Sequence, residues 1–323
     1  MELTADALAN ARRIVDAAMA PTPQYAWPLL AEEFGAEVWV KHESATPTGA
    51  FKVRGGLVYA ERLARERPEV AGLASATTGN HGQSLAYAGR AAGVPVTIVV
   101  PHGNSVEKNA AMRGFGAELI EHGADFQEAR EFSIGLAADR GLEMVPPFHP
   151  DLVAGVATYP AELFAAAGEL DAVFVPVGMG SGIVATILVR DLLGLSTEVI
   201  GVVSENAPAV ARSFAAGEPV GTETSRTFAD GVATRSVDPV AFDIVRRGAS
   251  RIVTIAEDDI AAAMRLAYRA THTLPCGAGS LGLAALTAER DRWVGKRVGV
   301  TFTSSNIDTD KAALVLSGGT PAA

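Results

Sequence analysis

The sequence predicts an α/β fold built from two open parallel-sheet domains, and three observations carry that expectation. Strand-length runs rich in Val, Ile and Ala alternate with helix-like segments along most of the chain. Those runs are continuously apolar instead of alternating in polarity, the pattern of parallel strands covered on both faces. The 323 residues are enough to bury a substantial core in one large or two modest domains.

The elements follow in order. Leu8, Ala11, Ile14, Val15, Ala18 and Met19 fall at helical spacing and predict an amphipathic helix. Residues 38–41 read as a short strand and residues 53–66 as a helix. Residues 72–76 read as a strand, followed by a helix over 82–92. The strand at 96–100 is stopped by Pro101, and the helix at 105–115 is ended by Gly116. Residues 118–120 give another strand, and residues 125–139 a helix ended near Gly141. Later come a strand at 172–175, a helix over about 182–193, and strands at 198–203 and 298–302. The stretch from about 50 to 150 holds three to four strand–helix units and suffices for its own small sheet, the rest forming a larger one with a cleft between them.

Composition removes several function classes. A net charge of −10 and the lack of any basic run argue against a nucleic-acid or anionic-membrane partner. A single cysteine, Cys276, rules out an intrachain disulfide and points to a cytoplasmic protein. The first twenty residues lack the apolar run of a signal peptide, and no apolar run is long enough to span a membrane.

Five motifs carry chemistry. Lys52 lies in Thr48-Gly49-Ala50-Phe51-Lys52-Val53-Arg54-Gly55-Gly56 at a helix start. A lysine that forms an imine needs a fraction of neutral amine, which burial and nearby cations favour; the plain alternative is a solvated lysine. Thr77-Thr78-Gly79-Asn80-His81-Gly82-Gln83 follows a strand and opens a helix, so its backbone N–H groups suit a carboxylate. A simple helix cap would use the same residues. Gly178-Met179-Gly180-Ser181-Gly182 also joins a strand to a helix, the geometry of a phosphate site. A dinucleotide fold shares that layout, but its spacing needs a glycine where Ile183 stands. Thr303 lies in the hydroxyl-rich stretch Thr301 to Asp308 after a strand, and Pro275-Cys276-Gly277-Ala278-Gly279 places a small thiol that reads as buried.

In this order the motifs resemble the threonine dehydratase and serine racemase group of fold-type II (tryptophan synthase beta-like) enzymes, which depend on pyridoxal 5'-phosphate (PLP). The resemblance covers nearly the whole chain. It implies a larger PLP-binding domain from residues 1–48 and 152–323, and a smaller mobile domain, 49–151, that closes over the cleft. Lys52 would hold PLP as a Schiff base, with Phe51 beside it, and would act as the general base. Asn80 would bond the phenolic oxygen of PLP, Gly178, Met179, Gly180, Ser181 and Gly182 its phosphate, and Thr303 its ring nitrogen. Thr77, Thr78, Gly79, Asn80 and His81 would bind the substrate carboxylate. Thr78 stands where racemases carry a serine acid/base, and its branched side chain favours elimination over racemisation.

The expected reaction is α,β-elimination on a β-hydroxy amino acid such as threonine or serine, giving a 2-oxo acid and ammonia. The alternatives are β-replacement, racemisation or elimination on an unusual amino acid, and a catalytically inactive binding relative. Ala50, Cys276, Ser304 and Ser305 depart from the dehydratase pattern. Some relatives bind a divalent cation with acids near Asp230, so Glu223 and Asp230 are candidate ligands, although no metal is expected. Relatives are mostly dimers, so a homodimer is expected; with no domain following residue 323, feedback control is not.

Overall fold

The computed structural model describes residues 1–322. In chain order the first elements are α1 (Ala5–Ala18), β1 (Gln24–Ala26), α2 (Pro28–Phe34), β2 (Glu37–Lys41), α3 (Lys52–Glu66), β3 (Leu73–Ala76), α4 (Asn80–Ala92) and β4 (Val96–Val100). Next come α5 (Val106–Gly114), β5 (Glu118–Glu121), α6 (Phe126–Arg140), β6 (Glu143–Met144), α7 (Pro150–Val156), α8 (Thr158–Ala167), β7 (Ala172–Pro176) and α9 (Ser181–Leu192). The chain continues through β8 (Glu198–Ser204), α10 (Ala209–Ala216), α11 (Pro239–Gly248), β9 (Arg251–Ile255), α12 (Glu257–Thr271), α13 (Gly277–Ala288), β10 (Arg297–Thr301) and α14 (Thr309–Leu316).

Two compact units emerge. The first contains Met1–Ala5, Pro21–Ala45 and the described residues from Tyr159 onward; the second contains Asp6–Ala20 and Thr46–Thr158. The division drawn on the sequence differs in keeping residues 6–20, 46–48 and 152–158 with the larger unit. Helix α1 joins the smaller one because its apolar face, Ala11, Ile14 and Val15, packs with Val53, Leu57 and Leu85 in that unit's core.

The first unit is built on a six-stranded sheet in the order β1-β2-β10-β7-β8-β9. Its pairs are parallel except at the edge, where β1 runs antiparallel to β2. The second unit has a four-stranded, all-parallel sheet in the order β5-β4-β3-β6. Strands β4 and β7 are buried at every residue, as continuous apolar runs require. The predicted α/β class with two sheets therefore holds, with one antiparallel edge strand added.

Local chemistry sets the element ends. Asp125 caps α6 by accepting from the Glu128 N–H at 2.9 Å, and Glu128 reaches back to the Ala124 N–H at 2.8 Å, a reciprocal cap. Ser105 caps α5 through the Lys108 N–H at 3.1 Å. Helix α4 begins at Asn80, two residues earlier than the sequence predicts, so Asn80 and His81 lie in its first turn.

Candidate active site

Lys52 is the first residue of α3. The turn leading to it is held by Thr46, whose hydroxyl donates to the Ala50 carbonyl at 2.8 Å and accepts from the Ala50 N–H at 2.9 Å. Glycines let the start of α3 sink into its surroundings: a Cβ at Gly55 would stand 2.6 Å from the Leu152 carbonyl oxygen. The Ser84 hydroxyl donates to the Lys52 carbonyl at 2.6 Å, tying α3 to α4.

The Lys52 side chain keeps some exposed surface, yet protein crowds its amine, and this desolvation lowers its pKa from 10.5 to about 8. Nζ lies 5.3 Å from the centre of the Phe51 ring. Burial alone supplies the shift. The expected help from a neighbouring cation is not seen, because the fully buried Arg54 directs its guanidinium to the Thr158 hydroxyl at 2.9 Å. Among the described residues no carboxylate pairs with Lys52.

The second motif follows β3 in the same unit. Thr77 is buried and Thr78 exposed. Gly79 occupies the cap position of α4, and no side chain caps the helix there. The first intrahelical bond runs from the Gln83 N–H to the Gly79 carbonyl at 3.2 Å, so the amides of the first turn have no helical acceptor of their own. Those amides and the helix dipole favour an anion. The stem of Lys108 lies over the same loop: a Cβ at Gly79 would stand 3.3 Å from Lys108 Cδ and 4.0 Å from Nζ. His81 is buried, and its pKa falls to about 3 through desolvation and then the charge of Lys52, opposed by a hydrogen bond to the Val145 backbone.

The remaining motifs lie in the first unit. A Cβ at Gly178 would stand 2.5 Å from the Gly231 carbonyl oxygen. Gly180 has φ +97°, and a Cβ there would meet the Ala241 methyl at 3.0 Å. Both positions therefore need glycine. Met179 and Ser181 are not in the left-handed region, so these substitutions leave the amides of the loop in place. Helix α9 starts immediately after, with the Val184 N–H donating to the Gly180 carbonyl at 3.0 Å. Thr303 follows β10 and is buried. The neighbouring Ser304 carbonyl accepts from the Cys276 N–H at 2.8 Å, and a Cβ at Gly279 would stand 2.5 Å from that oxygen. Cys276 is 2% exposed within the apolar core, the setting of an inert thiol. Glu223 and Asp230 are exposed, and no cluster of three or more His, Cys, Asp or Glu side chains suited to a metal forms among the described residues.

The second unit thus gathers Phe51, Lys52 and Thr77 to His81, and the first gathers the glycine loop and Thr303. Sequence reasoning missed Ser84 and Lys108. Ser84 follows His81 by three residues and so shares its helix face, a spacing legible once α4 is known to start at Asn80.

A profile of the pyridoxal-phosphate dependent enzymes matches residues 15–304. The chain belongs to that family. The L-threo-3-hydroxyaspartate ammonia-lyase of Saccharomyces cerevisiae is 30% identical over 298 residues, covering 92% of this chain and 91% of that one. A serine racemase of Schizosaccharomyces pombe is 29% identical over 315 residues, covering 97% of each. Among solved structures, a threonine deaminase from T.th. superposes with a TM-score of 0.89 at 32% identity, covering 95% of this chain and 99% of that one.

The donor set fits the cofactor of a PLP-dependent enzyme. It offers a desolvated amine with a lowered pKa, an amide-lined glycine loop at a helix start, and a buried hydroxyl at Thr303.

Proposed function

We propose that this PLP-dependent enzyme is an ammonia-lyase that removes the β-hydroxyl group of a β-hydroxy amino acid, such as threonine, serine or 3-hydroxyaspartate, and yields a 2-oxo acid and ammonia. The observation that carries the reading is the unpaired, desolvated amine of Lys52, lowered to about 8 at the start of α3. An amine in that range is partly neutral near physiological pH and can both hold the cofactor and take a proton.

PLP, once bound, supplies an electron sink for the substrate Cα. The residues of the chain do the rest. The Lys52 amine takes the Cα proton. The amides of Thr78 to His81 receive the substrate α-carboxylate, with the Lys108 stem shaping the loop beside Gly79. The amide side chain of Asn80 would meet the cofactor phenolic oxygen. Residues 178–182 would receive its phosphate, and the Thr303 hydroxyl would meet its ring nitrogen. A hydroxyl there makes a weaker sink than a carboxylate would, which suits prompt loss of a β-leaving group.

Racemisation is the second reading. The exposed hydroxyl of Thr78 and the likeness to a serine racemase favour it. A cytoplasmic location accords with the single free cysteine, and a homodimer with the resemblance to dimeric relatives. No helix among the described residues is long and apolar enough to cross a membrane.

The test is a panel of β-substituted amino acids scored for ammonia, oxo acid and change of handedness. Oxo acid and ammonia from serine, threonine or 3-hydroxyaspartate are the expected result. Inversion without ammonia selects the racemase, and inactivity on all three removes the lyase assignment.

A further inference from the structure

His81 is 8% exposed, and its Nε2 has no hydrogen-bond partner. The bond to the Val145 backbone therefore belongs to Nδ1. A carbonyl is an acceptor only, so Nδ1 carries the proton and donates, and Nε2 presents a bare lone pair. The same carbonyl also accepts from the Ser75 hydroxyl at 3.2 Å, which fixes its place. The imidazole is thus held in one tautomer with its acceptor turned away from Val145.

Its direction follows from the helix. Ser84, one turn on and on the same face of α4, donates to the Lys52 carbonyl. Gly82, between them, faces elsewhere, towards Met112, Thr77 and Ile98. The face of α4 that carries His81 is therefore the one packed against the first residue of α3. A buried acceptor left without a donor costs about 1–3 kcal/mol, and such a cost persists where a working state supplies the donor.

Resting on the proposed role of Lys52, we infer that His81 is a positioning residue for it, its neutral Nε2 accepting a hydrogen bond from the ammonium that Lys52 becomes on taking the substrate proton. The balance is simple. The Cα–H bond breaks and its proton forms an N–H bond on Lys52, its electron pair ends in the Cα–Cβ double bond as the β-hydroxyl leaves with the C–O pair, and His81 gains a hydrogen bond and no proton. With its pKa at about 3 the imidazole stays neutral and cannot take the proton itself. A hydrogen bond from an ammonium is charge-assisted and strongest where water is scarce. The side chain thus has a task separate from the backbone role expected of His81 in carboxylate binding.

Two isosteres separate this role from a structural one. In His81→Asn the amide nitrogen keeps the bond to Val145 and loses the Nε2 acceptor; in His81→Gln the amide oxygen reaches the Nε2 position. In the PLP-loaded enzyme, His81→Asn is expected to lower kcat about 10- to 100-fold, the value of one hydrogen bond to a charged group. The substrate KM and PLP content should stay unchanged, and His81→Gln should recover most of the loss. The reverse order, or two variants equal to wild type, overturns the inference. A second measurement needs no turnover and no variant: nitrogen-15 NMR of the wild type should find the neutral Nδ1–H tautomer, with the Nε2 signal moving when a non-eliminable amino acid is bound to the loaded enzyme. An Nε2–H tautomer contradicts the inference even if the lyase reading stands. A wild type that shows this tautomer but releases no ammonia contradicts the lyase reading instead.

Discussion

Two lysines with desolvated amines, one in each unit, differ most in their counter-charge. Lys41, at the end of β2, is fully buried and pairs with Glu162 at 2.5 Å while donating to the Thr22 carbonyl at 3.0 Å. The Thr22 hydroxyl in turn donates to the buried Glu43 at 2.6 Å. The ammonium of Lys41 is thus locked in place by a carboxylate. Beside it, His42 is held neutral, its pKa lowered to about 4 by burial and then by the Lys41 charge. Lys52 also loses water around its amine but has no carboxylate partner, and its amine drifts towards neutrality. Burial alone therefore does not make a lysine reactive; the missing counter-charge does.

Breaking each lysine should give opposite results. Lys52→Met is expected to lower ammonia release at least about 1000-fold, since covalent anchor and general base vanish together. The same change should stabilise the cofactor-free protein at pH 7, by up to about 3 kcal/mol in urea unfolding, because it removes a charge held at a lowered pKa. The sign follows from linkage. The native amine binds its proton less tightly than the unfolded one, so the cost is full below pH 8 and fades as pH rises towards 10.5. Removing the partner of the other lysine should do harm: Glu162→Gln takes away the carboxylate that meets the buried Lys41 ammonium at 2.5 Å and should cost about 3–5 kcal/mol. The double change Lys41→Met with Glu162→Leu should recover most of that loss.

Smaller effects sharpen the contrast. Capture of added PLP by the cofactor-free protein should accelerate with pH up to about 8 and level off above it, since only the neutral amine attacks. Stopped-flow absorbance reads this directly, and a rate indifferent to pH between 6 and 8 would separate Lys52 from the capture step. Gly180→Ala forces a methyl into a left-handed residue against Ala241 and should cost about 1–2 kcal/mol, seen as weaker PLP binding.

Much of the fold was legible because parallel strands such as β4 and β7 are almost wholly apolar and buried throughout, with Gly93 and Pro101 flanking β4. The antiparallel edge strand β1 was not legible. It is three residues long and largely exposed. Nor was the membership of α1: an apolar face announces that a helix will pack, and not on what. Lys52 and the glycine loop could be read from local sequence because each sits at a strand–helix junction. The difference between Lys41 and Lys52 could not, since the partner of Lys41 lies 121 residues away. The bare Nε2 of His81 depends in the same way on Val145, far along the chain.

The most direct measurement fixes the cofactor to its anchor. Borohydride reduction of the PLP-loaded enzyme, followed by peptide mass mapping, should find the phosphopyridoxyl group on Lys52 and nowhere else. A label on Lys41 or Lys108, or an unlabelled Lys52, would contradict the assignment.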